Sequence, residues 1–340
     1  MTRISIAMPT RNAEKTVAAA IRSIQEQSWR EFDFVIVDHA STDGTPGILA
    51  EAAREDSRIT VLRSEGTFVE AANLAWKETR GDLIARMDSD DVAHPERLSR
   101  QVDFLNSHPE LAACGSLVRI GKRGVAGSIE AAEGGYQRYE TWVNSVTTPE
   151  QILRERFVDS PLPNPTALVR REVLEALGGY HDPDWAEDYD FWLRLLEKGF
   201  QLGKVEEILL DWFDAPDRST RTVPRYELTR FQEAKAHYLS RIPEVQQLGV
   251  TLCGAGPIGK EMARYLRSRA VEVNAFCEVN ERQIGNRIDG IPVLGPDVMS
   301  GKLRSTILLS AVGQPGARAR IRKLALDAGF VEGADFFCVA

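Results

Sequence analysis

Four short apolar runs, each followed by a segment of helical length, dominate the first third of the chain and leave few folds open to it. Ile4–Met8 stops at Pro9, Phe34–Val37 ends in Asp38, Ile59–Leu62 precedes a polar turn, and Leu83–Met87 ends in Asp88. Between and after them, helical patterns are expected over Ala13–Gln27, Pro46–Arg54, Thr67–Thr79 and Pro95–Ser107; Val17, Ile21 and Ile24 share one face of the first. Strands joined by crossovers of this length run parallel, and a parallel sheet is covered on both faces. The expected class is therefore α/β with a largely parallel sheet.

Ligands in such sheets bind beyond the carboxyl ends of the strands. Pro9, Thr10, Arg11 and Asn12 follow the first strand, Asp38 closes the second, and Asp88, Ser89, Asp90 and Asp91 follow the fourth. Topology thus directs three polar clusters to one crevice. Three carboxylates within four residues repel one another, and next to an apolar core they need a positive partner. A hard divalent cation such as Mg²⁺ or Mn²⁺ is one remedy. The competing reading is an acidic turn that caps the helix following Pro95.

At 340 residues two domains are expected, and a net charge of −8 gives no footing for general nucleic-acid binding. The four cysteines (Cys114, Cys253, Cys277 and Cys338) show no metal-type spacing and read as reduced, buried thiols of a cytoplasmic protein. No apolar run approaches the ~20 residues that span a bilayer; peripheral attachment at the inner membrane face stays open. The chain starts directly with a strand, so no targeting segment is expected.

Further along, Leu111–Ile120 reads as a strand, Gly121–Gly135 as a loop or hairpin, Pro149–Phe157 as a helix, and Thr166–Val169 as a strand leading into a helix closed by Gly178 and Gly179. Trp185–Gly199 has Phe191, Trp192, Leu195 and Leu196 at helical spacing, with Glu187, Asp188 and Asp190 in the first turn. Ile208–Trp212 is a further strand. The basic stretch from Asp214 to Tyr226 holds Arg218, Ser219 and Arg221, which read equally as phosphate contacts or as solvated linker residues. After a helix at Tyr226–Ser240, a new unit starts near Gly249. There Val250–Cys253, Gly254-Ala-Gly256-Pro-Ile-Gly259, a helix, Val273–Cys277 and Glu278 follow the order of a dinucleotide fingerprint. The expected division is 1–215, a connecting 216–247 and a small Rossmann-like 248–340.

In their order and spacing, ISIAMPTRN, VIVDHASTDGT, LIARMDSDD, PNPTALVRREVLEALGGY and AEDYDFWLRL resemble a family 2 glycosyltransferase of the GT-A fold across roughly residues 1–212. The resemblance implies transfer of a sugar from a nucleotide-diphosphate donor to a saccharide, lipid-linked or protein acceptor, with inversion, in surface polysaccharide or glycoconjugate synthesis. It places Pro9, Thr10 and Asn12 beside the nucleotide, Asp38 at the base or ribose, and Asp88 and Asp90 at the DXD positions that hold the donor and its Mg²⁺ or Mn²⁺. Asp188 falls where the family has its catalytic base, beside Glu187. His39 departs from the family's second Asp or Asn, and Trp212-Phe213 replaces an aromatic–Arg pair, for which Arg218 or Arg221 is the candidate substitute. GAGPIGKEMARYL followed by FCEVNERQIGNRIDGIPVLG resembles the small Rossmann-like, nucleotide-sugar-binding domain that precedes the β-helix of sugar acyltransferases; Gly254, Gly256, Gly259 and Glu278 form its candidate ligand loop.

Three other functions compete. A nucleotidyltransferase is expected to carry a glycine-rich loop after its first strand, and MPTRNAEKT has none. An NAD-dependent oxidoreductase rests on the C-terminal fingerprint alone. A non-catalytic nucleotide-sugar-binding protein has no need of the full set Asp38, Asp88, Asp90 and Asp188.

Overall fold

The computed structural model describes residues 2–215, 218–301 and 305–340. The chain forms two compact units: Met1–Ile152 with Leu162–Pro183 and Glu187–Arg221, and a second made of Leu153–Pro161, Asp184–Ala186 and Thr222–Ala340.

The first unit contains β1 (Ile4–Thr10), β2 (Phe32–His39), β3 (Ile59–Ser64), β4 (Leu83–Arg86), β5 (Val92–Ala93), β6 (Leu111–Arg123), β7 (Ile129–Ala131), β8 (Leu168–Arg170) and β9 (Gln201–Phe213). Their order is β3-β2-β1-β4-β8-β6-β9-β5, with β7 paired to β6. The pairs β2–β3, β1–β2 and β1–β4 are parallel, as the alternation requires. Beyond β4 the expectation of a largely parallel sheet is corrected. β8 runs antiparallel to both β4 and β6, and β5 antiparallel to β9, while β6 and β9 are parallel. Regular crossover helices stop after residue 107, and without them nothing enforces one strand direction.

Both faces of the parallel half are covered, and period-two alternation decides which residues go where. Ile4, Ile6, Met8, Phe34 and Ile36 pack with Val17, Ile21 and Ile24 of α1 (Val17–Gln25), Leu49 of α2 (Thr45–Glu55) and a helix spanning Arg97–Ser107. Ala7, Val35, Val37 and Ile84 pack on the opposite face with α3 (Phe68–Lys77) and the fully buried Phe191 and Trp192. A Thr67–Glu70 capping box starts α3. The helix after the acidic turn, α4 (Arg97–Ser107), begins two residues beyond Pro95. Its N-cap is Glu96, without a side-chain cap bond, so the acidic turn does not cap it. Gly121–Gly135 contains the β6–β7 hairpin, and the strand expected at Ile208–Trp212 extends over the whole of β9.

The second unit holds β10 (Val250–Cys253), β11 (Val273–Cys277), β12 (Arg287–Ile288), β13 (Ile291–Leu294), β14 (Ile307–Ser310) and β15 (Phe336–Cys338), ordered β12-β13-β11-β10-β14-β15. All neighbours are parallel except the β12–β13 hairpin. Cys277, Cys253, Ser310 and Cys338 are successive register partners at the carboxyl ends of four strands. Among the described residues, no helix is long and apolar enough to cross a membrane.

Candidate active site

β4 is wholly buried between β1 and β8, and its chain emerges into Asp88, Asp90 and Asp91, whose carboxylate oxygens lie within 4.8 Å of one another. Two buried arginines shape this turn. Arg86 donates from Nη2 to Asp88 Oδ1 at 2.7 Å and from Nη1 to the carbonyls of Ala7 and Met87. Arg97 has no exposed surface; it donates to Arg86 O at 2.7 Å and to Gln101 Oε1 at 3.1 Å. Burial lowers its pKa to about 10, which leaves it charged at neutral pH. The strand end is thereby fixed by cations underneath and acids on top.

Asp91, for which the sequence leaves an acceptor-facing role or a cap of the helix after Pro95 open, is completely buried and accepts the Phe213 N–H at 3.0 Å, so it does not cap that helix. Arg218 closes the cluster from the opposite side. Its Nη1 lies 3.3 Å from Asp91 Oδ1, its Nε 3.5 Å from Asp90 Oδ2 and its Nη2 3.6 Å from Asp88 Oδ2. The guanidinium stacks 4.6 Å over the Trp212 ring and donates to Phe213 O at 2.7 Å. Burial pushes the pKa of Asp90 and Asp91 up, and the Arg218 charge opposes that push. Arg221 lies outside the cluster, in a two-point bridge to Asp214 (2.7 and 2.6 Å) and 5.1 Å over the Tyr136 ring.

At the neighbouring strand ends, Thr10 and Asp38 are register partners. Thr10 Oγ1 is buried with no hydrogen-bond partner, an uncommon state for a buried hydroxyl. Pro9 pairs with Val37 one position back. Asn12 takes a left-handed conformation (φ 49°), and its Oδ1 accepts the Thr42 N–H at 2.9 Å, so it ties the β1 loop to the β2 loop. Asp38 accepts the Ser41 N–H at 3.2 Å and lies 3.4 Å from Arg63 Nη1. His39 is buried with an unpartnered Nδ1; burial first, then Arg11, lowers its pKa, so it stands neutral at pH 7. The structure thus brings β1, β2 and β4, with their polar ends, to one edge of the sheet.

Asp188 and Glu187 start the helix Glu187–Glu197. Glu187 is buried, and Asp188 Oδ1 accepts the Tyr189 N–H at 2.7 Å. Burial, then the charge of Glu187, pushes the Asp188 pKa up to about 7; the charge of Asp88 acts in the same direction. Tyr180, whose hydroxyl donates to Asn164 Oδ1 at 3.1 Å, feels the charges of Arg86, Asp188 and Asp88 as well. These groups share one electrostatic neighbourhood. In the same turn, Asp190 pairs with Arg194 at 2.8 Å, and Arg194 also holds Leu177 O and Gly179 O.

In the second unit the glycines differ in purpose. Gly254 has φ +105° and abuts Val312, and a side chain on Gly259 would collide with Gly254 O; a Cβ on Gly256 would meet nothing within 4 Å. Glu278 accepts the N–H of Ala255 at 3.0 Å and that of Val279 at 2.8 Å, so the loop's own backbone holds it.

A half-parallel sheet with an acidic cluster at its carboxyl edge fits the GT-A fold. Solved structures agree on the fold. Staphylococcus aureus TarS 1–349 in complex with UDP-GlcNAc superposes with a TM-score of 0.52 at 20% identity, covering 78% of this chain and 72% of that one. The mannosyltransferase PcManGT of Pyrobaculum calidifontis, in complex with GDP-Man and Mn²⁺, gives 0.50 at 19% identity over 79% and 69%. The model of glycosyl transferase family 2 matches residues 5–178. EpsE of Bacillus subtilis, a provisionally named glycosyltransferase, is 31% identical over 214 residues, 61% of this chain and 71% of its own. The amylovoran biosynthesis glycosyltransferase AmsE of Erwinia amylovora is 27% identical over 140 residues, 41% and 48% respectively. The chain belongs to glycosyl transferase family 2 and is a glycosyltransferase.

Proposed function

We propose that this enzyme moves a sugar from a nucleotide-diphosphate donor to an acceptor hydroxyl with inversion, in the synthesis of a surface polysaccharide or glycoconjugate. One observation carries the reading: Asp188, a carboxyl group with its pKa raised to about 7, feels the charge of Asp88, a member of the three-carboxylate cluster. Three oxygen donors within 4.8 Å of one another suit a hard cation, with Asp90 and Asp88 as its ligands. Mg²⁺ or Mn²⁺ bound there supplies Lewis-acid stabilisation of the departing diphosphate.

The remaining roles fall to the chain itself. Asp38, Asp88 and the strand-end residues Pro9, Thr10 and Asn12 hold the nucleoside, and the orphan Thr10 hydroxyl is a ready hydrogen-bonding group for it. The acceptor oxygen attacks the anomeric carbon, the bond to the diphosphate breaks, and Asp188, seconded by Glu187, takes the acceptor proton. Arg218 and Arg221 are the candidate phosphate contacts. Catalysis belongs to residues 1–215, residues 216–247 connect, and residues 248–340 form an accessory unit. The glycine loop Gly254–Gly259 of that unit leaves Gly256 open, which suits a nucleotide-sugar or an acceptor group.

The relatives' names favour a polysaccharide product: besides AmsE, the O-antigen biosynthesis glycosyltransferase WbnJ of Escherichia coli is 26% identical over 223 residues. A thermal-shift screen of UDP-, GDP- and dTDP-sugars with and without Mn²⁺ tests the reading, because a ligand of the native state raises its stability. One donor is expected to raise the melting temperature only with Mn²⁺, and Asp90→Ala to abolish the rise. No shift with any donor overturns it.

A further inference from the structure

Three carboxylates meet at the end of β4, and the positive charge seated among them is a side chain. The Arg218 guanidinium reaches Asp88 Oδ2, Asp90 Oδ2 and both oxygens of Asp91 at 3.3 to 3.6 Å, while one carboxylate oxygen from each acid lies within 4.8 Å of the others. A divalent cation ligated by the same oxygens would need distances of about 2.0–2.6 Å, which puts it at the place the guanidinium now fills. A guanidinium and a dication cannot share that volume, and their mutual repulsion disfavours direct contact.

We propose that Arg218 is the resting counter-ion of this cluster, and that cation entry and the Arg218 contact are mutually exclusive. The inference rests on reading Asp88 and Asp90 as the cation site. Its force comes from Asp91. That carboxylate is wholly buried, and it is held by Arg218 and by the backbone N–H of Phe213. A buried carboxylate stripped of its cation is strongly destabilising, so one positive charge must be in the cluster at all times. Arg86 cannot stand in, because its Nη2 is bound to Asp88 and its Nη1 to the carbonyls of Ala7 and Met87.

Arg218 is held to its own segment by Phe213 O and by the Trp212 face. The next turn of that segment is latched to the helix Gly135–Ser145 by Arg221 over Tyr136 and by Thr220 Oγ1, 3.4 Å from the Tyr136 hydroxyl. Thr220 and Arg221 thus tie the turn that follows Arg218 to that helix. Cation entry ejects the Arg218 side chain; the freed guanidinium is then at hand for the dianionic diphosphate that follows the cation in. The acids never face solvent without a counter-charge, and an empty site does not capture a cation in the absence of donor as strongly as three bare carboxylates would.

The test is a Mn²⁺ titration of the full-length protein without nucleotide, read by the electron paramagnetic resonance signal of free Mn²⁺. Arg218→Gln, which keeps most of the shape and loses the charge, is expected to bind Mn²⁺ about tenfold more tightly than the unaltered chain, a coupling of ordinary size. Arg218→Lys, which restores a charge, is expected to return affinity toward the unaltered value, and a circular-dichroism spectrum checks that each variant is folded. Equal or weaker Mn²⁺ binding by a folded Arg218→Gln overturns the exchange while leaving the cation site intact. Mn²⁺ binding that is unchanged by Asp90→Asn overturns the cation site itself, and the exchange with it. Tryptophan emission gives a second readout: Mg²⁺ should alter it in the unaltered chain and not in Trp212→Phe.

Discussion

Replacing Asp188 by Asn should separate catalysis from stability in opposite directions. Burial and the neighbouring Glu187 raise the Asp188 pKa from 3.8 to about 7. A carboxyl group with a raised pKa binds its proton more tightly in the native state than in the unfolded chain. Between pH 3.8 and 7 the native state therefore holds more protons, and stability falls as pH rises through that window. At about 1.4 kcal/mol per unit, the shift corresponds to a ceiling of roughly 4 kcal/mol against the folded form above pH 7. Structural relaxation reduces this, and a working value is about 2 kcal/mol. Asn has the same shape and no charge. In the cation-free protein, Asp188→Asn should raise the melting temperature of the catalytic unit by roughly 4–8 °C at pH 8, with the advantage shrinking steadily toward pH 4. Transfer should fall by about 10²–10⁴, the usual worth of a general base. In the unaltered enzyme kcat/KM should lose its activity on the acid side, as the base becomes protonated. Calorimetry across pH, paired with a coupled assay for released nucleotide diphosphate, covers both halves. A variant that folds, gains no stability at pH 8 and retains near-normal transfer would falsify the assignment of Asp188 as a partly buried, charge-bearing base.

Two other perturbations probe the scaffold. Lys204 is buried, donates to Val143 O, and has its pKa lowered by burial from 10.5 to about 7. Its native state is short of a proton between those values, so stability should climb with pH across that window; Lys204→Met should flatten the climb and stabilise the protein at pH 7 by about 1–4 kcal/mol, measured by urea unfolding. In the second unit Gly256→Ala should leave stability unchanged, whereas Gly259→Ala, whose new methyl meets Gly254 O, should cost about 1–3 kcal/mol or more. Equal losses from the two, in thermal unfolding, would mean that the open space at Gly256 is not real.

The parallel half of the sheet was legible because it is written as period: apolar runs of strand length, helix-length crossovers and polar strand ends, all local. The second half was not. β5 is a two-residue strand and β8 a three-residue one, and neither is long enough for alternation to register. β6 finds β9 across some eighty residues by contacts that no local pattern encodes. The site follows the same division. Asp38, Asp88, Asp90 and Asp188 declare themselves as acids at strand or helix ends. Arg218 lies in a polar stretch that reads equally well as solvated linker; its place among the acids, 127 residues from Asp91, is a property of the tertiary fold. Asp91 was indistinct for the converse reason, since burial is what distinguishes it from its neighbours in the turn.

The line of Cys277, Cys253, Ser310 and Cys338 across the second sheet has a practical consequence. All four cysteines of the chain are free and buried, three of them in that unit and Cys114 alone in the catalytic one. Burial pushes the Cys114 and Cys338 thiols up to about 12, so at these two positions an aromatic disulfide reagent has almost no thiolate to attack while the chain is folded, whereas the hydrogen bond with Cys253 lowers the pKa of Cys277. Each unit consequently carries its own native clock. Pulses of reagent followed by mass spectrometry of the labelled peptides would time the opening of the two halves separately, with no dye, tag or engineered residue.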